Sequence, residues 1–98
     1  MLEYLIRTAS THELPALGHS RLADVLLPAG FNCEQAEGWG DFRVRCGTTQ
    51  IAFSAEDPGW QVTFEGPMPA TDCQRLVITL TQQIEQAAGE ACEWLQTT

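Results

Sequence analysis

Two arginines, Arg43 and Arg45, stand two positions apart in a chain with thirteen acidic and five basic residues. On a strand, side chains at this spacing share one face, where two guanidinium groups could bind an anionic group. The alternative is neutralisation by nearby acids. In the hairpin that the sequence predicts, Glu34 lies opposite Arg43, so we expect a cross-strand ion pair there. Arg45 falls between Asn32 and Gln50, is less well compensated, and is a candidate for contact with a partner.

Residue types that commonly perform catalysis or bind metals are few and scattered. His12 and His19 have no recognisable nucleophile near them in sequence, and no motif for a phosphate loop or a zinc protease is present. The four cysteines are far apart: Cys33, Cys46, Cys73 and Cys92. Their spacing does not fit a zinc site, and without a secretory signal we expect reduced, mostly buried thiols rather than the two possible disulfides. The sequence therefore predicts no catalytic residue, no cofactor and no metal, and a protein that is not an enzyme.

The charge balance bears on partners and location. The formal net charge is −8, every base is an arginine, and lysine is absent. Such a chain repels nucleic acid and anionic lipid and attracts basic surfaces. No apolar run approaches the roughly 18 residues of a membrane span, and MLEYLIRTASTHEL does not resemble a secretory signal. We therefore expect a cytoplasmic protein with a basic protein partner, no nucleic acid and no membrane; alternatively, the acidity only maintains solubility.

The middle of the chain predicts a sheet. Apolar and polar residues alternate in four segments: 31–36, 41–46, 49–54 and 60–65. This period of two is typical of an antiparallel sheet with one solvated face. A two-residue turn at Gly47-Thr48 pairs Cys46 with Thr49, Val44 with Ile51 and Phe42 with Phe53. A four-residue loop at 37–40 pairs Phe31 with Cys46, Cys33 with Val44 and Gln35 with Phe42.

Two helices complete the predicted fold. One spans 15–27, with Pro15 at its first position, and one spans 71–96, starting from a capping box at Thr71–Gln74. A helix of some 25 residues overhangs the sheet. Its far end then needs cover from the N-terminal segment or from a second subunit, which predicts a possible homodimer through the C-terminal helix. Residues 2–8 are a strand or the start of a helix. We predict one α+β domain, 1–98: a four-stranded antiparallel meander, order 1-2-3-4, with both helices on one face and an extra N-terminal strand if residues 2–8 are not helical.

Candidate partner-binding residues follow from chemistry and position. Trp39 lies between Gly38 and Gly40 at a predicted turn tip, and tryptophan is enriched in interface hot spots; alternatively, its ring folds back onto the sheet. Trp94 closes either the core or an oligomer seam, and acids on the outer part of the last helix are either solvated or contribute to a partner surface. The candidates are Trp39, Arg45, Glu85, Glu90, Glu93 and Trp94.

Three groups of proteins resemble this chain in outline. The order helix, strands, helix is similar to the double-stranded RNA-binding domain, but the stretch ATDCQ (70–74) carries Asp72 where that family has a basic cluster. Type III secretion chaperones are similar small, acidic, dimeric α+β proteins, although this chain lacks a later helix–strand block. Acidic inhibitors from phages and mobile elements, and bacterial immunity proteins, are similar in size and composition.

These observations lead to one functional prediction and two alternatives. We predict a non-catalytic protein-binding module that acts on a basic partner surface as an inhibitor, immunity factor or chaperone. The first alternative is a small-ligand-binding or enzymatic domain with a pocket between sheet and helices. The second is a structural dimer.

Overall fold

The computed structural model describes residues 1–98 as an α+β fold with a six-stranded antiparallel sheet. The strands are β1 (Leu2–Thr8), β2 (Cys33–Gln35), β3 (Phe42–Cys46), β4 (Thr49–Glu56), β5 (Gly59–Glu65) and β6 (Cys92–Gln96). The helices are α1 (Leu22–Leu26), which follows a 3₁₀ turn at His19–Arg21, and α2 (Ala70–Ala88). The sheet is open, with the order β2-β3-β4-β5-β1-β6. Neither helix combines the length and the apolar character that crossing a membrane requires.

The meander of β2 to β5 agrees with the predicted strand order, and the β3–β4 register is as predicted. Phe42 pairs with Phe53, Val44 with Ile51, and Cys46 with Thr49. The segment at 2–8 is a strand, but the number of strands is six because the chain also ends in a strand. β1 lies between β5 and β6 and pairs antiparallel with both.

The C-terminal prediction is wrong after Ala88. Gly89 takes a left-handed conformation at φ 74°, and its N–H bonds to the carbonyl of Glu85, which ends α2. The chain then forms β6 instead of more helix. The predicted capping box is also wrong, because α2 begins at Ala70 after Pro69 and no side chain caps it. The argument for a dimer through a C-terminal helix therefore no longer holds. Residues 92–96 are a strand, and the N-terminal strand β1 pairs with them.

The first helix is shorter than the predicted 15–27. Residues 15–18 precede the helical turns, and the Pro15 carbonyl accepts a hydrogen bond of 3.1 Å from Nε1 of Trp60. Helical structure starts only at His19 and ends at Leu26. Gln83 of α2 stabilises that end, because its side-chain amide donates to the carbonyls of Val25 and Leu27 at 2.7 and 3.0 Å. A helix's last carbonyls need partners of this kind.

The core lies between the sheet and the two helices. Alternate residues of the central strands are fully buried, and one stripe of α2 packs on them. The central members of this core are Val44, Ile51, Phe53, Val62, Leu76, Val77, Leu80 and Ile84. The helices cover one face of the sheet, so the opposite face is left without a second layer.

Cys33 and Cys46 form a disulfide, which corrects the expectation of reduced thiols. The β2–β3 register is shifted by two residues from the prediction, so that these cysteines are direct cross-strand partners. The same shift places Glu34 opposite Arg45 rather than opposite Arg43. Of the remaining cysteines, Cys73 is buried and Cys92 is half-buried, and both are free thiols.

Candidate partner-binding site

The candidate site lies on the face of the sheet that the helices leave uncovered. Arg43 and Arg45 of β3, Gln50 of β4 and Glu65 of β5 have side chains there, since the alternate residues of these strands enter the core. The β2–β3 loop, residues 36–41, folds over this face instead of extending beyond it. Trp39 in this loop reaches across β4 to contact Glu65 of β5.

Arg43 is the centre of this arrangement and is only 9% exposed. Its Nε donates to Oε1 of Gln50 at 2.7 Å, and its Nη2 forms an ion pair with Glu65. The guanidinium carbon lies 5.5 Å from the centroid of the Trp39 ring, within the range of a cation–π contact. The prediction that Glu34 pairs with Arg43 is wrong, because Glu65 on β5, two strands away, neutralises Arg43. The buried Nη1 has no hydrogen-bond acceptor.

Trp39 is fixed in place and yet half exposed. Its Nε1 donates to Oε2 of Glu65 at 3.1 Å, while 52% of the residue remains accessible to solvent. The ring therefore folds back onto the sheet, which is one of the two alternatives that the sequence left open, but it does not become part of the core. Glu65 accepts hydrogen bonds from both Arg43 and Trp39, so one carboxylate orders both side chains.

Gly38 permits this close packing of the loop. Its φ of 148° lies in a region that other residues rarely adopt, and a Cβ there would lie 2.7 Å from Cδ of Arg43. The Gly-Trp-Gly sequence is therefore explained by the conformation that presses Trp39 against Arg43. It does not indicate a flexible turn tip.

Arg43 and Arg45 do not form an anion site. Arg43 is enclosed by Gln50, Glu65 and Trp39, and exposed Arg45 forms an ion pair with Glu34. Two of the other arginines are also paired, Arg7 with Glu93 and Arg75 with Asp72. Because the bases are largely engaged, the excess negative charge belongs to acids without a cationic partner.

Four such acids are exposed at the end of the sheet where the β2–β3 loop meets the turn after β4; we call them the acidic rim. They are Glu37, Asp41, Glu56 and Asp57. Glu37 and Asp41 lie in the β2–β3 loop, and Oδ2 of Asp41 accepts the backbone N–H of Ala55 at 2.7 Å. That bond connects the loop to the end of β4, where the other two acids lie. Glu37 and Asp41 thus share the loop of Trp39, whereas Glu56 and Asp57 lie at the opposite end of β4 from Gln50, the cross-strand partner of Glu65.

The other predicted site residues are not near Trp39. Glu93 is on β6, at the other edge of the sheet from β2, where it pairs with Arg7. Trp94 is on the helix side, with its ring 5.9 Å from that of Tyr4 in an edge-to-face contact. Glu85 is on α2 and Glu90 follows its end. The structure thus brings Trp39 and Arg45 to one face and separates the remaining four from them.

Sequence reasoning did not assign a role to Glu65, although its alternation on β5 placed it on the solvated face. The hydrogen bonds from Trp39 and Arg43 depend on how the loop folds, which period-two alternation does not encode. Nothing local in the sequence connects residue 39 with residue 65. The only indication in the sequence is the pair of glycines around Trp39, which permits a tight contact but does not indicate which residue Trp39 contacts.

Two surface clefts border the helices. The first, about 490 Å³, lies between α1 and α2 and is lined partly by Arg21, Asp24 and Gln86. The second, about 450 Å³, is more apolar and is lined by Leu17, Leu22 and Trp60, among others, with His19 and Asp41 as polar groups. The apolar character and the two polar groups give the second cleft the composition of a small-molecule site.

Among the groups that could perform chemistry, Nε2 of His12 lies 3.6 Å from Oε2 of Glu93, which also binds Arg7. No three His, Cys, Asp or Glu side chains come together in a way that could hold a metal ion. Burial raises the pKa of both free thiols; the Asp72 charge adds to this at Cys73, and the Glu85 and Glu90 charges at Cys92. A raised pKa disfavours the reactive thiolate. No family model, curated protein or solved structure matches this chain.

Proposed function

We propose that this protein is a non-catalytic binding module that uses the uncovered sheet face beside Trp39 to contact a basic protein surface. One observation carries the proposal: Trp39 is half exposed while Glu65 and Arg43 hold its ring. The exposed part of a large apolar ring contributes little to the stability of the fold. Stability alone therefore does not explain why the Trp39 ring is held in one position.

An ordered tryptophan suits a binding role energetically. Association costs the entropy of the side chains that it immobilises, about 0.5–1.5 kcal/mol for each flexible one. Trp39 has lost most of this freedom before binding, since its indole N–H and one ring face are already engaged. Its exposed area is then available to a partner pocket, as is common for hot-spot residues.

The acidic rim supports a basic partner. Its four carboxylates are exposed and have no cationic partner within the chain, and two of them, Glu37 and Asp41, belong to the loop that carries Trp39. A cluster of negative charge accelerates association with a positively charged surface, and this acceleration weakens strongly as the salt concentration rises. Arg45 at the same face is neutralised by Glu34 and does not oppose this attraction.

An inhibitor, an immunity factor and a chaperone all act by such binding, and these remain the proposed classes. The raised pKa values of Cys73 and Cys92 favour the non-catalytic proposal, because neither thiol is activated as a nucleophile. The predicted cytoplasmic location conflicts with the Cys33–Cys46 disulfide, since such bonds persist mainly in oxidising compartments. Alkylation of free thiols in intact cells would show whether Cys33 and Cys46 are oxidised there, and so whether the protein resides in a reducing or an oxidising compartment.

The test is affinity capture from an extract of the native host with wild type, Trp39→Ala and a control, Ile78→Ala. Ile78 is also an exposed apolar residue, but it lies on α2. We expect one basic protein to bind wild type and the control, to be lost with Trp39→Ala, and to bind more weakly as salt rises. Equal capture by Trp39→Ala, or capture indifferent to salt, would contradict the proposal.

The apolar cleft supports a second candidate, binding of a small apolar molecule between the 14–19 segment and β5. Ala16 is one of its lining residues and is exposed, so Ala16→Trp should fill the cleft without disturbing the core. We expect the neutral dye Nile red to gain fluorescence with wild type and Trp39→Ala, and to lose the gain with Ala16→Trp. An unchanged signal with Ala16→Trp would exclude the cleft.

A further inference from the structure

The outer edge of β6 is a backbone surface without a partner. Two hydrogen bonds fix the alternation of its ladder with β1: Ala9 N–H to the Ala91 carbonyl at 2.9 Å, and Thr97 N–H to the Glu3 carbonyl at 2.8 Å. The odd-numbered residues of this segment therefore direct their backbone groups toward β1. In an antiparallel ladder the intervening residues direct theirs to the opposite side, which for β6 is the free edge.

Three residues present N–H and C=O groups along this edge: Cys92, Trp94 and Gln96. β6 has no proline, no lysine and no bulge, which are three of the features that usually protect an edge, and its one charged residue, Glu93, is paired with Arg7. The other edge, β2, is only three residues long and is covalently bonded to β3 through Cys33. The sheet therefore has one short edge and one edge open to a further strand.

The charge at β6 allows a second copy to approach, although each copy carries a net −8. The only acid within the strand, Glu93, is neutralised by Arg7 at 2.7 Å. The acidic rim lies on the β3 and β4 side of the sheet, separated from β6 by β5 and β1. Charge within the strand is thus balanced, and the unpaired acids that act on Cys92, Glu85 and Glu90, lie outside it; a basic peptide would find no free acid within the strand.

We infer that β6 pairs antiparallel with β6 of a second copy around a two-fold axis at Trp94, giving one continuous twelve-stranded sheet. In this register Trp94 meets Trp94, Cys92 meets Gln96, and Glu93 meets Leu95 of the other copy. No acid lies directly opposite an acid. The part of the Trp94 ring that Tyr4 leaves exposed is buried against the same residue of the second copy.

The contact has the size of a weak dimer. Five-residue strands bury less than the roughly 1,200 Å² of a standard specific interface. Association should therefore depend on concentration, with monomer predominant when the protein is dilute. Trp39 takes no part in this contact, so the dimer and the proposed partner site can be tested separately.

The first test measures mass by light scattering over about 1 µM to about 1 mM. Wild type should change from 10.8 kDa toward twice that mass. Gln96→Pro removes an N–H that points to the edge, whereas Gln96→Ala keeps it. We expect Gln96→Ala to match wild type and Gln96→Pro to raise the dissociation constant at least about tenfold, because each copy loses one interfacial hydrogen bond. A wild type that stays monomeric throughout overturns the inference.

The second test examines the register and remains informative if the proline variant misfolds. Gln96→Cys places a thiol opposite Cys92 of the second copy, so mild oxidation should give a cross-linked dimer on a non-reducing gel. The control is Thr97→Cys, whose side chain lies on the other face of the sheet. Cross-linking of Gln96→Cys but not of the control supports the register. Equal cross-linking of both, or of neither, contradicts it.

Discussion

Removing the Cys33–Cys46 disulfide gives the most direct test of the fold at its β2 edge. The two cysteines are 13 residues apart in sequence and directly opposite in the ladder. A cross-link that closes a loop of this length lowers the entropy of the unfolded chain and stabilises the fold by about 3 kcal/mol. Proteins of this size commonly have only about 5–15 kcal/mol of stability in total, so the loss should be large.

The assay is urea unfolding of wild type with and without reductant, beside the double variant Cys33→Ser/Cys46→Ser. We expect the variant and reduced wild type to lose about 3 kcal/mol of unfolding free energy, with a fall in Tm of roughly 12–24 °C. The variant should be insensitive to reductant, since Cys73 and Cys92 are unbonded. Identical midpoints for oxidised and reduced wild type, or four titratable thiols in the native protein, would refute the reasoning.

Three further predictions concern stability. Gln83→Leu should cost about 2 kcal/mol in urea unfolding, because the end of α1 loses the amide that binds two of its carbonyls; the exposed control Gln82→Leu should cost less than about 0.5. Gly59→Ala should lower the unfolding free energy by at least about 2 kcal/mol, because its Cβ would lie 2.5 Å from a carbonyl oxygen of β1; Gly18→Ala, which meets nothing closer than 3.9 Å, should change it little. Burial raises the pKa of Cys73, so the folded state holds this proton more tightly. The resulting stability is fully present below the ordinary thiol pKa of about 8.5 and is lost as pH rises through the raised folded-state pKa; urea midpoints measured from pH 7 to pH 10 should fall less in Cys73→Ala.

The predictable part of the fold is the part fixed by local alternation. From Phe42 to Phe64 the strands alternate, the turns are short, and the register of β3 on β4 follows from a two-residue turn. A slip of one residue there would expose every core side chain of a strand. Such a penalty makes the correct register readable from the sequence.

The β2–β3 register was not predictable on the same basis. A slip of two residues keeps every side chain on its own face, so the alternation does not distinguish the two registers. The choice depends on the loop, which folds over the sheet to place Trp39 on Arg43 and so needs more residues than a compact turn. The disulfide follows from that shift, because only the observed register brings Cys33 opposite Cys46.

The end of α2 was predicted wrongly because small apolar residues continue at helical spacing beyond it. Ala91 and Leu95 extend the stripe of Ile84 and Ala88, but Gly89 ends the helix in a left-handed conformation. The segment after it pairs with β1, which lies at the other end of the sequence. Tertiary pairing of this kind outweighs local periodicity, and the separation of Trp94 from the other candidate site residues follows from it.

The position of β1 has a consequence for how the chain folds during synthesis. β1 is made before the other five strands, yet both of its neighbours in the sheet are made late, and Arg7 meets Glu93 across 86 residues. The meander of β2 to β5 can form from local contacts, whereas β1 must wait with both edges unpaired. Contacts between such distant residues make folding slow. During that interval both edges of β1 are free to pair with strands of other chains, so β1 is the strand most exposed to misassembly.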